Sequence, residues 1–243
     1  MHLKHLWLPA IAFASMAAGV TGNAQQPATP GGAQDGVAAL TQSLQKGMAA
    51  IRGYQWVETT SISLKGEEKS RKQQACLYGA DGKVAKTPIG QPQPQQPAAG
   101  GGRRGGRLKQ QVIEKKKDEM QDYMERAAAL IHHYVPPGPD QIQAAKAAGR
   151  ITVTPQPGGT LKLVISEYLK PADSLSIDLD PATNRLLALA VNSYLDTPED
   201  TVTLAVQMNT LPDGALYAAQ STLDAKAKHI RVVIQNDGHR PVQ

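Results

Sequence analysis

Ser174 to Met208 reads SLSIDLDPATNRLLALAVNSYLDTPEDTVTLAVQM, and the rhythm of this stretch decides the fold. Leu175, Ile177 and Leu179 recur at every second residue, as do Leu187, Leu189 and Val191, and then Val202, Leu204, Val206 and Met208. A period of two marks a β-strand with one buried face, because successive side chains leave opposite sides of the sheet. Asp180-Pro-Ala-Thr-Asn184 and Thr197-Pro-Glu-Asp200 separate the runs and are short enough to return the chain antiparallel. The pattern extends outward to Leu161, Leu163 and Ile165 on one side and to Ile230, Val232 and Ile234 on the other. Leu211-Pro-Asp-Gly214 and Asp224-Ala-Lys226 supply the later connections. From Arg150 onward the chain therefore reads as an antiparallel meander.

Alternate positions such as Ser174, Ser176 and Asp178, or Thr201, Thr203 and Gln207, are polar, so one side of this sheet can face water. The other side cannot. Its 16 apolar side chains would cost tens of kcal/mol if exposed, at about 1.5–3 kcal/mol each. Amphipathic segments are available to cover it. Val37, Leu40, Leu44, Met48 and Ile51 recur at helical spacing up to Gly53 and predict a helix over Gly36 to Ile51. Val112, Ile113, Met120, Met124, Ala127 and Ile131 mark one face of a second, over Leu108 to His133, with Asp122 and Arg126 placed for an i, i+4 pair. Pro136-Pro137-Gly138-Pro139 breaks it, and a shorter helix runs to Ala148 before Gly149. Between the first two helices, Tyr54 to Leu64 and Lys72 to Tyr78 form a hairpin through Lys65-Gly66-Glu67. The predicted class is α+β, an antiparallel sheet covered on one face by helices.

The first residues, Met1-His-Leu-Lys-His, precede an apolar run from Leu6 to Val20 and small residues at Gly22 and Ala24, which is the layout of a secretory signal peptide over residues 1–24. The run is shorter than the roughly 20 residues a membrane span needs. The expected location is the periplasm, as a soluble protein after cleavage near Ala24. Cys76, the single cysteine of the chain, stands far from that site and has no partner for a disulfide, so its expected role is packing. Residues 25–34, a Gln/Pro/Gly tether, and Thr87 to Arg107, a Pro/Gln/Gly/Arg-rich insert, lack the apolar content to fold. The rest, residues 35–243, suits a single domain.

The chain carries a formal charge of +5. Between Lys65 and Arg126 there are 14 basic and 8 acidic residues, so the excess is local. Arg103, Arg104, Arg107, Lys109, Lys115, Lys116 and Lys117 are the candidates for contact with an anionic membrane surface, worth about 1 kcal/mol per charge. Aromatics make up 4% of the chain, and its one Phe (Phe13) and one of its two Trp (Trp7) fall in the leader. The rings that stack on nucleic acid bases are therefore scarce, and no nucleic acid partner is expected.

No motif of catalysis stands out. His132 and His133 are adjacent, about 100° apart on a helix, and cannot chelate one metal as an i, i+4 pair does. Their place at a helix C-terminus, where a cation is favoured, accounts for them. Asp178/Asp180 and Glu199/Asp200 sit where turns want acidic residues. There is no GxSxG, P-loop or GxGxxG after a strand. The chain reads as a non-enzyme, with no cofactor, no catalytic residue and no metal site.

The order of elements (helix, long antiparallel strands, helical interruption, β-meander) behind a signal peptide resembles the lipoprotein-carrier superfamily of LolA- and LolB-like proteins. That resemblance implies a strongly curved, half-barrel-like sheet lidded by helices, with a concave apolar interior that receives acyl chains. The residues expected to line such a cavity are Trp56, Ile62, Leu64, Leu161, Leu163, Ile165, Leu175, Ile177, Leu187, Leu189, Val202, Leu204 and Val206. The functional expectation is an exported carrier-like protein that binds a lipid or an acylated protein. The alternative is an interaction module with a packed core, which recruits an envelope partner through its basic loop.

Overall fold

The computed structural model describes residues 42–43, 45–90 and 106–242; for 106–114 and 117 it describes the backbone alone. The predicted leader and tether, residues 91–105 of the predicted insert and the start of the first predicted helix lie outside the described residues. Helix α1 (residues 45–50) ends in a 3-10 turn at Ile51–Gly53. Strands β1 (Tyr54–Leu64), β2 (Glu67–Tyr78) and β3 (Val84–Pro88) follow. Then come helices α2 (Gly106–His132) and α3 (Pro139–Ala147). The meander is β4 (Ile151–Pro155), β5 (Leu161–Ser166), β6 (Ser174–Asp180), β7 (Arg185–Tyr194), β8 (Thr201–Thr210), β9 (Leu216–Ala225) and β10 (Ile230–Pro241).

All ten strands join one open antiparallel sheet, in the order β3-β2-β1-β10-β9-β8-β7-β6-β5-β4. Sheet neighbours are consecutive in the chain except at β1–β10, where the first strand meets the last, and β3 and β4, consecutive in the chain but separated by the helices, form the two edges. Lys65 and Gly66, both at positive φ (55° and 84°), make the two-residue turn of β1–β2, and this handedness suits the twist of the flanking strands. Gly149, at φ 66°, follows α3 as the left-handed residue that ends a helix without a Cβ penalty.

Register explains the core. Ile165, Leu175, Val191, Leu204, Leu223, Val232 and Ile62 are successive partners across β5, β6, β7, β8, β9, β10 and β1. The first six are at most 4% exposed. Tyr123, Met124, Ala127 and Ile131 of α2 belong to the same buried cluster, with Met120 packed against it. The predicted i, i+4 pair of α2 is replaced by a tertiary one: Arg126 bonds Asp196 of the β7–β8 connection at 2.5 Å.

Three strands escape the alternation pattern for physical reasons. In β4 the four residues after Ile151 are exposed, so no buried period shows. In β9 a register shift opposite Gln207/Met208 sets both Ala218 and Ser221 in line with the core and breaks the count of two. β3 corrects the predicted insert at its near end, because Thr87 and Pro88 pair with Ala75 and Gln74 instead of starting a loop. At the far end Gly106 and Arg107 are already helical.

Candidate functional site

Most residues expected to face a ligand are instead core. Ile165, Leu175 and Val202 are fully buried and Leu189, Val206 and Leu204 nearly so, all within the cluster that includes α2, while Ile62, Leu64, Leu163 and Ile177 pack against it. Leu161 and Leu187 are half-buried. A register shift between Asp178 and Leu179 brings Leu186 opposite Leu179, so Leu186, 8% exposed, takes the inward place that strict alternation gives to Leu187.

The space lies farther along. A cavity of about 520 Å³ opens where α1 meets the β6–β7 and β8–β9 turns, lined by Leu186, Leu211, Pro212 and Leu216 together with Ser43, Thr183, Asn184, Arg185, Thr210 and Gly214. None of the thirteen expected residues lines it. α1 reaches the wall by having glycine at position 47, where a Cβ would stand 2.7 Å from that of Leu216 and 3.1 Å from the Gly214 carbonyl oxygen. Hydrogen bonds fix both turns. Asp213 accepts from the Tyr54 hydroxyl (2.8 Å) and the Ala215 N–H (3.0 Å), which ties the β8–β9 turn to the start of β1. Asp180 accepts from the Thr183 hydroxyl (2.5 Å) and the Ala182 N–H (3.0 Å), and the Thr183 hydroxyl bond is the main reason its carboxyl lies below the usual range. Arg185 Nε donates to Thr183 Oγ1 at 3.0 Å. The acidic pair at 178/180 is thus a cross-strand partner of Lys162, 3.5 Å away, followed by a turn cap. The sequence marks both turns, but only as connections; that they form a rim depends on α1.

Trp56 stands apart from the main cluster. Its Nε1 donates to Asn236 Oδ1 at 3.0 Å, and its ring meets Tyr78 (5.6 Å) and His239 (5.9 Å), which in turn meets Tyr217 (4.0 Å). Burial pulls the His239 imidazole below its ordinary value, against the opposing charge of Asp237. Next to Trp56 lies an ion pair the sequence did not announce. Lys86 donates to both oxygens of Glu58 (2.6 and 2.8 Å), and the Glu58 side chain is only 5% exposed. Cys76, fully buried, pairs with Trp56 across β1–β2. Burial, with the Glu58 charge adding to it, pushes its thiol from 9.0 up to about 11, so it packs rather than reacts.

A second polar centre anchors α2. Tyr134, just past its end, is fully buried, donates its hydroxyl to Asp173 and lies 2.8 Å from Ser193 Oγ. Asp173 also accepts the N–H groups of Tyr168 (2.6 Å), Leu169 (3.1 Å) and Lys170 (2.9 Å). Burial, reinforced by Asp173, drives the Tyr134 phenol well above its ordinary value. His132 and His133 are both exposed. Among the basic candidates, Lys115 and Lys116 are exposed, with Lys115 4.0 Å from Glu119. Arg103 and Arg104 lie outside the described residues, as do the side chains of Arg107, Lys109 and Lys117.

No family model matches the chain, and no curated protein matches it by sequence. Among solved structures it is similar to a DUF1329 family protein from Desulfovibrio piger, at 11% identity and a TM-score of 0.40, over 86% of this chain and 92% of that one. It is also similar to a LolA superfamily protein from Nitrosomonas europaea, at 8% identity and a TM-score of 0.36, over 84% and 94%.

Proposed function

We propose that the chain is an exported, non-enzymatic binding protein of the cell envelope that takes up a lipid or the acyl chain of an acylated partner. In this reading the leader directs it to the periplasm and is removed near Ala24. The sheet curves about the helices, which cover its apolar face. The ligand's apolar part sits beside α1, against Leu186, Leu211, Pro212 and Leu216, and its polar end meets the rim at Thr183, Asn184 and Arg185. The observation that supports it is the cavity of about 520 Å³ at that place, within the size range of sites for small amphiphiles. The mid-sheet face that strand alternation singled out serves as the core that holds the cavity wall in position.

The test has two arms. The full chain, expressed with its leader and purified without detergent, is extracted and analysed for lipid by mass spectrometry. The purified protein is then titrated with a dansyl-labelled undecanoic acid. Saturable binding is expected, and Ser43→Trp, which fills the cavity beside α1, should weaken it at least about tenfold with the melting temperature unchanged. A protein that carries no lipid and gives no saturable response would overturn the carrier reading in favour of the interaction module.

A further inference from the structure

Strand β4, the outer edge of the sheet beyond β5, reads Ile151-Thr-Val-Thr-Pro155. It carries no charge, and Val153, 53% exposed, is the most exposed large apolar side chain among the described residues. The hydrogen-bond pattern shows which backbone groups are free. Ser166 N–H donates to the Arg150 carbonyl (3.0 Å) and Gln156 N–H to the Thr160 carbonyl (2.8 Å), so residues 150 and 156 form the bonded pairs with β5. In an antiparallel ladder bonded positions alternate. Thr152 and Thr154 therefore bond inward, and Ile151, Val153 and Pro155 turn their backbone groups toward the open edge. Pro155, which has no N–H to offer, sits where that costs β5 nothing.

The opposite edge is guarded. β3 carries Lys86 pointing inward to Glu58 and is preceded by exposed Lys83. Inward charges and lysines are among the usual devices against edge-to-edge pairing. Within β4 Pro155, at one end, is the single such device, and the Arg150 that precedes the strand is engaged with Glu167, to whose carbonyl its guanidinium donates.

We propose that β4 is a self-association edge, pairing antiparallel with β4 of a second copy of this chain about a two-fold axis through Val153. The strand is nearly the same read in either direction, which is what such an axis requires, since each residue must accept its mirror position as partner. Val153 meets Val153 of the other copy and exchanges two backbone hydrogen bonds with it. Thr152 meets Thr154, a favourable cross-strand pair, and each Ile151 N–H reaches the other copy's Pro155 carbonyl. Val153 pairs with Leu163 in β5, so its side chain lies on the apolar face, and the second Val153 continues that face across the joint. A seam of five residues buries less than the roughly 1,200 Å² of a tight interface, so the dimer is weak and concentration-dependent.

Sedimentation velocity of the full chain from about 1 to 200 μM should show reversible monomer–dimer exchange, and Val153→Lys should raise the dissociation constant at least about tenfold with an unchanged melting temperature. Val153→Cys, with Cα atoms about 5.5 Å apart across the axis, should cross-link to a dimer under diamide, whereas Val84→Cys on β3 should not. A chain that stays monomeric throughout, a dimer indifferent to Val153→Lys, or equal cross-linking at both edges would overturn the proposal. None of these outcomes bears on the lipid cavity, which lies at the turns and not at this edge.

Discussion

Lys86 and Glu58 are 28 residues apart in sequence and in direct contact in the sheet, where the carboxylate receives two bonds from one ammonium group. Burying such a pair returns little net stability, but removing one partner strands the other charge in a dry place. Lys86→Met should therefore lower the stability to urea by about 3 kcal/mol, and the double variant Glu58→Gln/Lys86→Met should recover much of that loss. Equal losses in the two proteins would show that packing of the lysine stem, and not the orphaned carboxylate, is what matters. This pair was not legible in the sequence. Glu58 shares the inward parity of Ile62 and Leu64 and looks like an interruption of their pattern, and its partner lies on a five-residue strand just before the predicted insert, where no apolar period shows. Trp56 and Cys76 were legible as strand residues because their types belong there. Their adjacency comes only from the register of β1 on β2.

At the scale of elements, α2 is held by the residues beyond its C-terminus as well as by its apolar stripe. Past its last turn Tyr134 inserts beside Ser193 and gives its hydroxyl to Asp173, which also collects three N–H groups from the β5–β6 connection. Four donors depend on one buried carboxylate. Asp173→Ala should destabilise the protein by about 4 kcal/mol, near the top of the range for single substitutions, because each donor is left without an acceptor. Tyr134→Phe should cost about 1–2 kcal/mol. Guanidinium unfolding of the two variants checks the order, and a Tyr134→Phe loss as large as that of Asp173→Ala would place the stability in the phenol instead of in the carboxylate's set of bonds. α2 and the long strands other than β9 were readable because burial on one side leaves a period of 3.6 or 2. β3, β4 and the near wall of the cavity were not, since edge strands bury too little to show a period and a wall made of two turns and one glycine contact has none.

Across the whole molecule, the meander from β4 to β10 closes through short turns, and β1–β2–β3 forms a second local unit. The two are joined in one sheet by the β1–β10 seam, whose partners, such as Ile62 and Val232, are about 170 residues apart. A seam of such long-range contacts is entropically costly to close, so it is where the sheet would part if its two sides were independent. Val232 is 2% exposed and faces both Ile62 and Leu223. Val232→Ala removes two methyl groups there and should cost about 2 kcal/mol, between the usual costs of Ile→Val and Leu→Ala. The informative readout is where that loss is felt. Trp56 reports on the β1–β2 side, and far-UV circular dichroism is weighted by the larger meander, so the two signals can be followed together in a chain carrying Trp7→Phe, which leaves Trp56 as its one Trp. If the seam makes one cooperative unit, both transitions shift to lower urea by the same amount and stay superimposed. A Trp56 transition that moves alone would mean that the N-terminal hairpin is a separately folding flap against an autonomous meander. Trp56 and the cavity wall at Leu186 would then belong to parts of the molecule that can come apart while each stays folded.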